Sequence, residues 1–169
     1  DNRAVSQAAL LVSNGGGLDQ FLDQVIEGSA SDESIHIYAA ESLLDSEQDS
    51  HSDSHEGDPH FWQNPVFAIR YIETIRDGLV QADSANSDNY QANFESYRTE
   101  LTKLDFDINS TIDTIDESRR HLITFHDAFS HFADRYGWRV TALVDSDASQ
   151  VSPGPVVEIL ERVKAEGIP

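Results

Sequence analysis

The sequence contains no cysteine, which removes disulfide frameworks, thiolate zinc sites and iron–sulfur clusters. Lysine is almost absent. Only Lys103 and Lys164 occur, and all basic residues together number 11 against 31 aspartates and glutamates, for a formal net charge of −20. A field of that sign repels nucleic acid and anionic lipid and draws cations in. No apolar run is long enough to cross a bilayer. There is no secretory leader either, and the chain opens in mid-pattern at Asp1 without a methionine, so an upstream segment is expected.

What is present is sufficient for a folded core, since 38% of the residues are hydrophobic and 9% aromatic. The acidic residues are spread along the chain rather than gathered in a tail. That pattern fits a heavily hydrated surface, either one adapted to high salt or a merely acidic one.

Along the chain, Ala8–Val12 reads as a buried strand, and Asn14-Gly15-Gly16-Gly17 as a turn that permits positive φ. A helix with Leu18, Phe21, Leu22, Val25 and Ile26 on one face should follow and end at Gly28, and Ile35–Tyr38 is a second short strand. Residues 45–58 hold no apolar side chain and are expected to form a surface loop. Order returns at Pro59-His60-Phe61-Trp62. Asn64-Pro65 then supplies an N-cap and a proline for a helix striped by Ala68, Ile69, Ile72, Ile75 and Leu79.

The longest periodicity runs through Tyr90, Phe94, Tyr97, Leu101, Leu104, Ile108, Ile112 and Ile115, without glycine or proline. It predicts one helix of about 28 residues, roughly 40 Å long, which reads as a strut between two lobes. Beyond it, Leu122–Phe125 and Val140–Val144 are strands. Asp127 can cap a helix closed by Gly137, and Ser152-Pro153 opens another. This β-α-β-α order implies a parallel sheet flanked by helices. The expected division is residues 1–83 as part of an N-terminal lobe, 84–116 as the long linking helix and 117–169 as the start of a C-terminal lobe. The fold class is therefore α/β, and the uncovered sheet edge marks the chain as a fragment.

Of the seven histidines, two stand where ligands are usually displayed. His126 ends a predicted strand just before a helix, and ligands of open α/β sheets bind beyond the carboxyl ends of strands. His60 follows a proline in a short rigid stretch. Imidazole suits zinc, manganese and other first-row cations, but zinc prefers about four donors. On the residues alone, two metal ligands and two partly buried histidines bonded to backbone both remain open. His51 and His55, four apart among acidic residues, fit either a low-affinity metal-scavenging loop or a solvated acidic linker. His36 reads as structural or exposed, and His121 and His131 as surface residues. Trp62 and Trp138 should pack.

Asp58-Pro59-His60-Phe61-Trp62-Gln63-Asn64-Pro65 resembles the D-P-H-x-W-x-[DN]-P signature of the zinc/manganese ABC-transporter solute-binding proteins, the ZnuA/TroA-like receptors. Thr124-Phe125-His126-Asp127-Ala128-Phe129 is similar to their F-H-D-A-[FY] motif, and Asn14-Gly15-Gly16-Gly17-Leu18-Asp19 to their N-G-x-G-[LF]-[ED] turn. The resemblance implies two α/β lobes of the periplasmic-binding-protein, metal-receptor type, only partly covered by this chain. It implies His60 as the N-lobe ligand and His126 as the C-lobe ligand of a four-donor site, whose other two donors fall outside the matched motifs. It further implies a monomeric, extracytoplasmic, non-enzymatic receptor that captures Zn2+, or Mn2+, and hands it to a membrane permease. A metal-dependent hydrolase using His60, His126 and Asp127, or a surface adhesin of the same fold, is the alternative. No H-E-x-x-H pair or nucleophile elbow supports the hydrolase.

Overall fold

The computed structural model describes residues 2–48 and 58–144, together with 157, 160, 161 and 163–165. It divides into two compact units, Asp1–Leu104 and Asp105–Pro169.

The first unit is built on a parallel β-α-β turn of chain. After a short helix α1 (Asn2–Gln7), strand β1 (Leu10–Ser13) pairs in parallel with β2 (Ile35–Tyr38), in the register Leu10–Ile35 through Ser13–Tyr38. A parallel pair needs a crossover, here supplied by the glycine turn, a 3-10 turn (Gln20–Leu22) and helix α2 (Asp23–Ser29). Gly15, Gly16 and Gly17 all have positive φ, as the turn requires. The expected buried face on this crossover does not form. Phe21 is 78% exposed, and Leu18, Leu22 and Val25 are exposed as well. The reason is geometric: the chain enters through a 3-10 turn with three residues per turn, so the 3.6-residue stripe is broken before α2 begins. Helix α2 also runs one residue past Gly28, which has no positive φ.

Helix α3 (Glu41–Gln48) covers the start of the stretch expected to be a loop from residue 45. Glu47 and Gln48 are good helix formers and no glycine or proline stops them. Helix α4 (Pro65–Ala82) begins as expected, with the Asn64 side chain accepting from the Val66 amide at 3.0 Å and proline in the first turn. Its stripe lies half-buried against β1 and β2. Gly78 lets the helix approach the sheet closely, since a Cβ there would sit 2.7 Å from Ile37 Cδ1 and 3.2 Å from Leu10 Cδ1. A core cluster in this unit joins the buried Ala40, Leu43 and Phe61, with Leu44, Phe67 and Tyr71 packed against them.

Helix α5 (Ser87–Ile112) is 26 residues long, close to the 28 read from its periodicity, and the boundary between the units falls inside it. Its seam is narrower than the stripe suggested. Phe94, Leu101 and Ile112 are buried, whereas Tyr97 and Leu104 are exposed. Phe94 carries the Arg76 guanidinium over its ring, 4.5 Å from the centroid. Among the described residues no helix is long and apolar enough to cross a membrane.

In the second unit, β3 (His121–His126) pairs in parallel with β4 (Arg139–Val144) across helix α6 (Ser130–Tyr136). Gly137, at φ 68°, closes α6 as expected. Asp127 does not occupy the cap position, which falls at Phe129; its carboxylate instead accepts from the Ser130 hydroxyl at 2.9 Å. The helix expected after Ser152-Pro153 lies largely outside the described residues, although 157, 160, 161 and 163–165 are helical.

Asp105 fastens α6. It accepts from Arg135 Nε at 2.9 Å, from Arg135 Nη2 and from the Tyr136 hydroxyl at 2.8 Å. The Arg135 hydrogen bond in particular holds the Asp105 carboxyl below its usual range. A depressed carboxylate stabilises the folded state above its unfolded pKa of about 3.9 and loses that contribution as pH falls through the folded value. Asp105→Asn is therefore expected to cost about 1 kcal/mol at neutral pH, a figure held down by the exposure of Arg135. Melting curves of the two proteins should converge below about pH 4.

Candidate metal centre

His60 sits at the junction between residues 58–60 and the 3-10 turn Phe61–Gln63, and it is only 6% exposed. Two features keep it there. The following residue, Phe61, is fully buried and anchors the segment. The preceding Asp58 is itself buried, and its Oδ1 accepts both the His60 backbone N–H at 3.0 Å and Nδ1 of the ring at 2.6 Å.

The electrostatics of that pair define the tautomer. An ionised carboxylate can only accept, so the proton of a neutral ring resides on Nδ1 and the lone pair on Nε2. A carboxylate behind an imidazole is also how metal-ligating histidines are commonly oriented and made more basic. Trp62 meets the His60 ring edge-on, with centroids 5.2 Å apart. It does not pack away as expected, being 41% exposed, because the 3-10 turn buries Phe61 and so turns the adjacent side chain outward.

His126 closes β3 at its carboxyl end, half-buried and paired with Val144. The Thr124 hydroxyl donates to its carbonyl at 2.9 Å, which pins the backbone where the strand ends. His60 belongs to the first unit and His126 to the second. Among the described residues no group of three or more histidine, aspartate or glutamate side chains is arranged to hold a metal. His51 and His55 lie outside the described residues.

His36 Nε2 shares a hydrogen bond with the Ser13 hydroxyl at 2.8 Å, and its ring lies against Tyr38. His121 is half-buried, with Nε2 and the Thr141 hydroxyl of the neighbouring strand 2.9 Å apart. His131 departs most from expectation, since it is 3% exposed rather than on a helix surface. Helix α6 is so short that Ser130, His131, Ala133 and Tyr136 are all buried, and a surface face read from Phe129, Phe132 and Tyr136 alone is misplaced.

Three residues near His60 carry no assigned role in the sequence: Asp58 and Asn14, which stand within the matched motifs, and Tyr71. Asp58 carried a usable signal, because an aspartate two residues ahead commonly bonds back to the main chain. Asn14 and Tyr71 meet each other and Pro59 only through the tertiary fold, as the Tyr71 hydroxyl donates to Asn14 Oδ1 at 2.9 Å and Asn14 Nδ2 to the Pro59 carbonyl at 3.1 Å.

Comparison with known proteins places this geometry in context. The family model described as "ZnuA: Zinc-uptake complex component A periplasmic" matches residues 1–169. The manganese-binding lipoprotein MntA of Halalkalibacterium halodurans is 28% identical over 170 residues, covering 100% of this chain and 55% of its own length. The iron ABC transporter substrate-binding lipoprotein MtsA of Streptococcus pyogenes serotype M1 is 28% identical over 123 residues, covering 69% of this chain and 39% of its own. The structure of the periplasmic zinc-binding protein TroA from Treponema pallidum matches all of this chain and 61% of its own, with a TM-score of 0.88 at 24% identity, a likeness of fold. The chain thus spans about half the length of the curated relatives it matches.

Proposed function

The chain belongs to the ZnuA family of periplasmic zinc-uptake components, and from that membership we propose that the intact protein is an extracytoplasmic receptor for a divalent transition metal. It takes zinc in preference to manganese and delivers the ion to the permease of an ABC transporter. His60 and His126 are the donors proposed for the ion. The observation that carries this reading is the buried His60 ring, oriented by the 2.6 Å contact between its Nδ1 and Asp58 Oδ1.

The chemistry of this donor set supports zinc, because neutral imidazole suits it better than it suits the carboxylate-rich sites typical of manganese. The relatives' names span manganese, iron and zinc, so the preference rests on the two imidazoles. The metal is cargo: it is bound, carried and released, with no bond made or broken in a substrate. A hydrolase or adhesin role is not favoured by any residue near His60 or His126. The acidic surface supports the reading as well, since a charge of −20 raises the local concentration of cations around the protein.

Binding to the folded state alone raises stability by mass action, by about 2.7 kcal/mol at a hundredfold excess over the dissociation constant. Zinc is accordingly expected to raise the melting temperature of the intact protein by several degrees. A melting temperature that is the same with zinc, manganese and chelator would remove the receptor reading.

A further inference from the structure

We propose that Asn14 is a positioning residue for the metal ligand His60, so that the glycine turn and the Asp58-Pro59-His60 segment work as one unit; the proposal rests on the receptor reading above. The argument begins at a single peptide group. The bond between Pro59 and His60 is planar, and its two polar atoms are gripped from opposite sides. Its oxygen accepts from Asn14 Nδ2 at 3.1 Å, and its N–H donates to Asp58 Oδ1 at 3.0 Å. A peptide plane held at both ends fixes where the His60 Cα lies, and the Asp58 contact to Nδ1 then orients the ring.

Asn14 is itself held firmly enough to serve as an anchor. Its backbone N–H and that of Gly15 donate to the Asp19 carboxylate, and its carbonyl accepts from Ala40 at 3.0 Å. Its carboxamide has only one orientation that satisfies its neighbours. The carbonyls of Gly15, at 3.0 Å, and Pro59 can only accept, so the nitrogen must face them. The oxygen then meets the Tyr71 hydroxyl. Burial pushes the Tyr71 hydroxyl up from its ordinary value, so it stays a protonated donor.

The turn also makes steric contact with the same segment. A Cβ on Gly16 would lie 3.2 Å from the Pro59 Cβ, and Gly16 adopts φ 63°, so the turn can lie this close to Pro59 only without a side chain there. Residues 45 and 57 positions away from Asn14 in the chain, Pro59 and Tyr71, are thereby tied to one side chain.

The test compares zinc titrations and cobalt(II) ligand-field spectra of the intact protein with those of three variants. Asn14→Ala is expected to weaken zinc binding by about ten- to a hundredfold, the usual effect of losing an outer partner of a ligand, and to shift the cobalt spectrum. Tyr71→Phe, which leaves the amide in place but loosens it, is expected to act in the same direction by less. Ser34→Ala breaks the Ser34 hydroxyl bond to the Ala8 carbonyl elsewhere in the same unit and should lower the metal-free melting temperature without touching affinity or spectrum. Wild-type affinity and spectrum in Asn14→Ala and Tyr71→Phe, with binding still lost in His60→Ala, would overturn the positioning role alone. So would an affinity loss in Ser34→Ala as large as theirs. Absence of zinc binding by the wild-type protein would overturn both this proposal and the receptor reading.

Discussion

Replacing His60 with alanine in the intact protein is expected to lower zinc affinity by more than about a hundredfold, and His126→Ala to do likewise. The magnitude follows from coordination number. Zinc prefers about four donors, and removing one forces water or a rearranged side chain into the vacated position. For His60 the change also removes the partner of Asp58 Oδ1, which lies 2.6 Å from its Nδ1. Asp58→Asn keeps the shape and still offers an acceptor, so its loss should be nearer tenfold. His121→Ala is the control. Its ring hydrogen-bonds Thr141 across the sheet and should leave affinity unchanged. Calorimetric titration decides the matter residue by residue. Unaltered affinity in His60→Ala or His126→Ala removes that histidine from the site, whatever the other does.

Local chemistry explains how much of this arrangement could be read in advance. The Asn64-Pro65 start of α4, the positive-φ glycine turn, the αL glycine after α6 and the length of α5 each depend on residues within one or two turns of each other. Periodicity and capping report those distances well. Resemblance of the Asp58–Pro65 and Thr124–Phe129 segments to known motifs pointed to the two histidines and to the α/β class.

The features that stayed hidden share a different origin. The Asn14–Pro59 bond spans 45 residues and the Asp105–Arg135 pair spans 30, and no pattern along the chain encodes either. His131, five residues beyond His126, reads as a surface histidine, yet so short a helix buries four of its seven residues. Phe21 looked like core because its stripe was drawn as a regular helix, whereas the 3-10 turn leaves it exposed. In each case tertiary context or a local change of helical pitch overrode a pattern that was sound by itself.

Phe61→Ala is expected to cost the protein about 3–5 kcal/mol, the usual range for emptying a fully buried phenylalanine site. Phe61 is 0% exposed, packs with Ala40 and Leu43, and meets the Phe67 ring edge-on at 5.7 Å. Its neighbours come from α3, α4 and the segment joining β2 to α3, none of which can collapse into the void without leaving its own partners. The consequence reaches His60, the proposed metal ligand, through a single peptide bond. With Phe61 gone, the 3-10 turn loses its anchor, and the Asp58 bonds to His60 and the Asn14 bond to the Pro59 carbonyl must hold the segment. Phe61→Ala should therefore lower both the metal-free melting temperature and the zinc affinity, whereas His60→Ala should lower affinity with little change in metal-free stability. Phe61→Leu, which refills most of the space, should recover most of both losses. Melting curves recorded in chelator, set beside zinc titrations of the same three variants, separate the two effects. A Phe61→Ala protein that melts with the wild type would mean that this packing does not hold the segment.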